Sequence, residues 1–531
     1  MSDLVTEVLP PGLSEREWAG ALAAFKSALG RDAVLSSAQD LAGFRDPYGP
    51  PGADEHVASA VVMPASVEEV QAVVRIANEY SVPLWTFSQG RNNAYGGPAP
   101  RVRGSVLVNL RRLNRVLEVN DDLAYAVVEP GVSFFDLYEH LRAGGHRLWL
   151  SIPDLGWGSV LGNAVDHGRG YSLYGDHAAA ECGMEVVLAS GEVLRTGMGA
   201  MIGGRTWHLY PRGYGPSTAG LFKQSNFGIV TKMGVWLMPE PESYLSGWVR
   251  IGGGDEPLQA LIETLRPLLL QGTVSNYPVI SSGGAIGNWD GWEGWQPGRP
   301  RPEALLARTR TLPEPRPWAM RFALYGPEGV VDAQFRAVET AFARLLGAEV
   351  GSRRYSGERV REARNPDDKV QGGIPSMDLL DFFTMLMGES YGHLDFSPVG
   401  PLTGSDVVAM TRLLRPLVER HGLRYGGAFI ATPRSAIHIL PINFDLADER
   451  QTRAAYAAYH ALVPELAKAG YSLYRTHVRF MDLVADQYDF NDHVQRRLNE
   501  TIKDAIDPNG ILSPGKQGIW PASMRVGRAK E

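Results

Sequence analysis

The chain has little of what usually marks a function at a glance. It holds one cysteine, Cys182, among 531 residues. That excludes an intrachain disulfide and any multi-cysteine metal site, and it fits a reducing, cytoplasmic setting. No metal site is expected. Positive charge is not in excess: 52 Lys and Arg stand against 59 Asp and Glu, for a net charge of −7 with no basic block. Nucleic acid is therefore a poor partner. No apolar run is long enough to cross a bilayer. The opening M-S-D-L-V-T-E-V-L-P-P lacks the basic and apolar regions of an export signal. A Walker A pattern is missing too. Gly156, Gly158 and Gly162 are spaced one residue too wide for the Rossmann G-x-G-x-x-G and lack its strand-then-acid context.

What is present is ordinary in bulk and specific in detail. A hydrophobic content of 44% and a charged content of 21% suit a globular protein, and the length asks for two domains. Ser14 and Glu17 form a capping box ahead of Trp18, Leu22, Phe25 and Leu29, a helix stopped by Gly30. A strand at Ala58–Met63 and a helix capped by Ser66 and Glu69 follow. A second strand, Leu84–Phe87, runs into S-Q-G-R-N-N-A-Y-G-G-P (88–98). Glycine lets backbone N–H groups approach an anion, so this loop reads as a phosphate holder or, more plainly, as a polar turn. The glycine-rich stretch 151–170 is the second such segment, and any dinucleotide must bind through separated loops of this kind. Near Pro239–Pro241 the texture changes to strand–helix–strand. Leu265-Arg266-Pro267-Leu268 and Leu414-Arg415-Pro416-Leu417 predict a kink or early stop in two helices. Gly283–Pro317 reads as a long surface excursion.

Several ordered motifs together resemble the vanillyl-alcohol oxidase family of 4-phenol-oxidising flavoproteins. They are R-N-N-A-Y-G-G-P-A-P (91–100), P-D-L-G-W-G-S-V-L-G-N (153–163), Y-G-D-H (174–177), E-V-V-L-A-S-G-E-V-L-R-T-G-M-G-A (185–200), Q-S-N-F-G-I-V-T-K-M-G (224–234), Y-R-T-H (474–477) and D-P-N-G-I-L-S-P-G-K (507–516). The resemblance implies an α+β, two-domain fold. Residues 1–240 and 471–531 would form a split FAD-binding domain, and 241–470 an inserted α+β cap. Ser88, Gln89, Gly90, Arg91, Asn92 and Asn93, with Pro153, Gly158, Ser159, Gly162 and Asn163, would wrap FAD. Ile229 and Val230 would lie near its adenine, Lys516 would face the reduced flavin, and His393 would carry the flavin covalently.

The same resemblance assigns Tyr95, Tyr474 and Arg475 to a phenolate clamp and Asp154 to the reacting carbon. The implied reaction is hydride transfer from a para-substituted phenol, such as vanillyl alcohol or eugenol, through a para-quinone methide, with O2 reduced to hydrogen peroxide. A homodimer or larger homo-oligomer is implied as well. Two readings stand beside it: a cytochrome-linked hydroxylase similar to para-cresol methylhydroxylase, and a flavin-binding protein without catalysis. Arg169 and Asp395 depart from the pattern, each replacing a small or apolar residue. Charges facing a cavity are expected to pair with each other or with a charged substrate tail. Arg169 is thus a candidate for reading an oxygenated or carboxylated para side chain or, equally, for a loop salt bridge away from the substrate, and small Ala428 for admitting a methoxy group ortho to the phenol oxygen.

Overall fold

The computed structural model describes residues 8–282, 299–300, 303 and 315–525. The stretch Gly283–Pro317, expected as a surface excursion, lies almost wholly outside them.

Three sheets organise the chain. The first has four strands in the order Val34–Leu35, Ala60–Val62, Val106–Asn109, Leu84–Phe87, with the last three parallel. Its helices obey their caps. Ser14 and Glu17 close a capping box on Glu15–Leu29, and Ser66 accepts from the Glu69 amide at the start of Val67–Tyr80. The two helices bury Trp18, Phe25, Val70 and Val74 against the fully buried valines of the central strands. The second sheet is five-stranded and antiparallel, with Ile229–Trp236 between Tyr125–Val128 and Glu181–Val187.

The third sheet, of nine strands, begins at Ser243–Gly253 and runs through the middle of the chain. One face is apolar: Met320, Phe322, Phe429 and Ala431 meet Leu258, Leu261, Leu265 and Met410 of the covering helices. Because side chains alternate along a strand, the residues between them point the other way. That second face carries Arg321, Val279, Ser281, Ala428, Ile430, Ile439, Pro441, Asn443, Asp395 and His393, and all ten border one cavity.

The helices Asp255–Leu270 and Gly404–Arg420 hold Pro267 and Pro416 internally and end three and four residues later. This is the early stop that a missing N–H imposes. The helix Glu449–Lys468 ends the same way after Pro464, which the sequence reading passed over.

Both chain ends meet at the first sheet. Leu84 N–H donates to Ile511 O at 2.7 Å and Ser513 N–H to Leu84 O at 2.9 Å. Lys503 pins this return. Fully buried, its ammonium reaches Asp507 at 2.6 Å, Asn226 O at 2.8 Å and Leu512 O at 2.6 Å, so all three donors are used. Among the described residues no helix is long and apolar enough to cross a membrane.

Candidate active site

The cavity of about 1080 Å³ runs between the two smaller sheets and the cap sheet. Its volume is above the usual range for a drug-sized ligand, as a dinucleotide plus a substrate requires. Ser88, Gln89, Gly90, Arg91 and Asn92 border it, as do Pro153, Gly158, Ser159, Gly162 and Asn163. So do Ile229, Val230 and Lys516. Asn93 does not. It opens the short turn Asn93–Tyr95, and its side chain bonds Tyr48 instead.

Several of these side chains hold the loops and leave the backbone to face the cavity. Gln89 donates to Gly131 O at 2.5 Å, while its own carbonyl accepts from Arg111 Nε at 2.9 Å. The Ser159 hydroxyl donates to Pro130 O at 2.6 Å and accepts from the Gly162 amide at 2.8 Å. Asn163 Oδ1 accepts from His177 Nδ1 at 2.7 Å. Gly90 has φ +60°, which a side chain rarely adopts. A Cβ on Gly158 would meet nothing nearer than 3.9 Å, so that glycine borders open space. These cradles, with the buried and partnerless His393 Nδ1, fit FAD.

Two charged centres differ in character. At the first, the Arg475 guanidinium lies 4.5 Å from the centroid of the Tyr95 ring and 5.1 Å from that of Tyr474. The Tyr95 hydroxyl is 3.3 Å from Ser397 Oγ. Burial raises the pKa of both tyrosines, against the pull of Arg475, so both remain protonated donors near neutrality. Burial also opposes charge on Arg475, yet the hydroxyls of Tyr474 and Tyr95 carry its pKa above the ordinary value. Arg475 is a cation with no ion-paired carboxylate among the described residues, and its Nε lacks a partner.

At the second centre, Arg321 Nη2 donates to Asp154 Oδ1 at 3.1 Å and Nη1 to Asp367 Oδ1 at 2.8 Å. Tyr171 donates to the other Asp154 oxygen, and the Arg321 guanidinium lies 4.4 Å from the Tyr171 ring centroid. Burial lifts the Tyr171 pKa and the Asp154 charge lifts it further, so it stays a donor. The Arg321 cation thus bridges the two carboxylates. Arg321, Asp367, Tyr171 and Ser397 were not foreseen. The one available signal was an arginine in the otherwise apolar run W-A-M-R-F-A-L (318–324).

His393 sits in the strand Tyr391–Phe396, between the rings of Tyr391 and Tyr48, with centroids 5.2 and 5.4 Å away. Burial lowers its pKa, and the Asp395 charge only partly offsets this, so the imidazole is neutral. Arg169 and Asp395 do not pair with each other. Arg169 Nη1 bonds Asp176 at 2.6 Å within its own loop, where a backbone bridge links the same two residues. Proximity in the chain decides that pairing. Both residues still border the cavity, as does Ala428. No cluster of potential metal ligands occurs among the described residues.

The chain is similar to known flavoproteins over nearly its whole length. A family described as "FAD binding domain" matches residues 58–197, and one described as "FAD linked oxidases, C-terminal domain" matches 381–517. The flavoprotein subunit of 4-cresol dehydrogenase (hydroxylating) from Pseudomonas putida is 34% identical over 525 residues, covering 98% of this chain and 99% of its own. The structure of 4-ethylphenol oxidase from Gulosibacter chungangensis, an isoeugenol complex, is 38% identical with a TM-score of 0.88, covering 97% of this chain and all of that one. Substrate-bound p-cresol methylhydroxylase is 34% identical with a TM-score of 0.86, covering 97% and 99%.

Proposed function

Because the chain belongs to the vanillyl-alcohol oxidase/p-cresol methylhydroxylase family of 4-phenol-oxidising flavoproteins, we propose that it oxidises para-substituted phenols at the carbon attached to the ring, with FAD taking the electrons. The observation that carries this reading is the placing, in one cavity, of Arg475 beside the rings of Tyr95 and Tyr474 and of the Asp154 carboxylate held by Arg321 and Tyr171.

A free phenol has a pKa of about 10, so holding it ionised at pH 7 takes about 4 kcal/mol of preferential anion stabilisation. Arg475 and the protonated hydroxyls of Tyr95 and Tyr474 supply charge-assisted bonds where water is scarce. The phenolate pushes electron density toward the para carbon. Asp154 faces the positive character that develops there, and its remaining lone pairs can take a proton from a carbinol or from an attacking water. Tyr171 and Arg321 fix the orientation of that carboxylate.

Bound FAD supplies a two-electron acceptor next to this carbon. Ser88–Asn92, Pro153, Gly158–Asn163, Ile229, Val230 and Lys516 are the residues that would hold it. His393, neutral and with a free ring nitrogen, is suited to a covalent link to the cofactor. Acid precipitation tests the link: yellow colour stays with the wild-type pellet and leaves that of His393→Ala.

Turnover of 4-ethylphenol tests the main reading. No consumption of this phenol by FAD-loaded protein, with oxygen or with an artificial acceptor, sinks it. Oxygen is the proposed oxidant. Peroxide formed without added acceptor supports this, whereas turnover only with an acceptor assigns the chain to the cytochrome-linked branch.

A further inference from the structure

Asp395 is a carboxylate without an evident task. In its strand, Leu394 and Phe396 are fully buried in the hydrophobic core, while His393 and Asp395 point to the cavity. The Asp395 side chain keeps 21% of its surface exposed, and the nearest ring nitrogen, Nε2 of the neutral His393, is 3.9 Å away. That is too long for a hydrogen bond. No side chain or backbone group among the described residues donates to this carboxylate. Opposite it on the neighbouring strand stands Pro441, which has no N–H to offer. Ile439 and Ala428, the next pair on the same face, are apolar.

The next side chain along this edge is Ser397, about 7 Å away by strand rise, and Ser397 Oγ lies 3.3 Å from the Tyr95 hydroxyl. Asp395 therefore borders the place where the phenol oxygen is held. The Asp395 charge also acts to raise the pKa of both Tyr95 and Tyr474. A half-buried carboxylate left without donors is costly. The missing donor then belongs to the ligand, at the ring position beside the clamped oxygen. A hydroxyl there donates; a methoxy group or a hydrogen does not.

Resting on the phenol-oxidising reading above, we propose that the ring subsite is a catechol site. Asp395 accepts a hydrogen bond from the hydroxyl ortho to the clamped phenol oxygen, so 4-alkylcatechols are favoured over their 2-methoxyphenol counterparts. The space beside Ala428 then serves a second hydroxyl and not a methoxy group.

The test uses ligands that carry no hydrogen on the para carbon and are not turned over: 4-hydroxybenzonitrile, 3,4-dihydroxybenzonitrile and 4-hydroxy-3-methoxybenzonitrile. Each is titrated anaerobically into the FAD-loaded protein by calorimetry. In wild type the dihydroxy ligand is expected to bind at least about tenfold tighter than the methoxy ligand, as a hydrogen bond to a charged acceptor allows. The ratio falls to about 1 in Asp395→Ala and to roughly 3 in the isosteric Asp395→Asn, which serves where the alanine variant does not fold. A wild-type ratio within about twofold, or one retained in both variants, overturns the assignment. Oxidation of 4-ethylphenol, assayed on the same preparation, separates the two claims. A flat ratio in a protein that oxidises this phenol sinks only the role of Asp395. A steep ratio in a protein that oxidises no phenol sinks only the activity.

Discussion

Two arginines border the same cavity and are built to opposite ends. Arg321 lies between Asp154 and Asp367, so its charge is engaged by two carboxylates and its task is to hold them still. Arg475 is surrounded by the rings and hydroxyls of Tyr95 and Tyr474, and its charge is left available for an incoming anion. The lesson is that burial alone says little about a charge. The neighbours decide whether it is a strut or a binding group.

Breaking the comparison at Arg475 has the largest expected effect. Arg475→Met removes the cation of the clamp, and kcat/KM for 4-ethylphenol falls by about 10³, the equivalent of roughly 4 kcal/mol. The pH profile of the remaining activity moves toward the pKa of the free phenol. A steady-state pH series checks both, and a profile left where it was argues against phenolate binding.

Breaking it at Arg321 acts first on stability. Arg321→Met takes the cation from one buried carboxylate, Asp367, and one half-buried, Asp154, and costs about 3–5 kcal/mol in urea unfolding. Adding Asp367→Asn removes one stranded charge and recovers part of that loss. If the double variant is as unstable as the single one, the pairing is not what holds this centre.

A third expectation concerns pH and the cap. His438 is fully buried, accepts from Tyr425 at Nε2 (2.8 Å) and donates from Nδ1 to Ala428 O (3.1 Å). Burial pushes its pKa down to about 4, whereas the unfolded chain binds that proton below about 6.5. Between those values the unfolded state holds more protons, so stability is present in full above about 6.5 and declines as pH falls toward 4. His438→Gln flattens that acid limb in thermal melts, and an unchanged slope refutes the assignment. The smallest effect sharpens the comparison. Tyr171→Phe removes one donor to Asp154 and lowers kcat by about tenfold, near 1.5 kcal/mol, while binding of 4-hydroxybenzonitrile at the clamp is retained.

Legibility differed between the halves of the molecule. Loops such as 88–98 and 153–163 stood out because clustered glycine and asparagine mark turns, a local signal. The capping serines and the helix stops after Pro267 and Pro416 were readable for the same reason. Arg169 was open between a loop salt bridge and a partner across the cavity, and its bridge to Asp176, seven residues on, runs through a loop whose path no periodicity reveals. Arg321 escaped notice because nothing near it in the chain hints at Asp154 or Asp367.

From its residues alone this chain determined its local elements, its separated ligand loops and the family these imply, because each depends on neighbours within about a turn or a strand. Only the tertiary structure decided which charges meet. Asp154, Arg321 and Asp367 lie far apart in the chain, on a loop, a strand and a helix, and only the packing of these three elements brings them within hydrogen-bond reach.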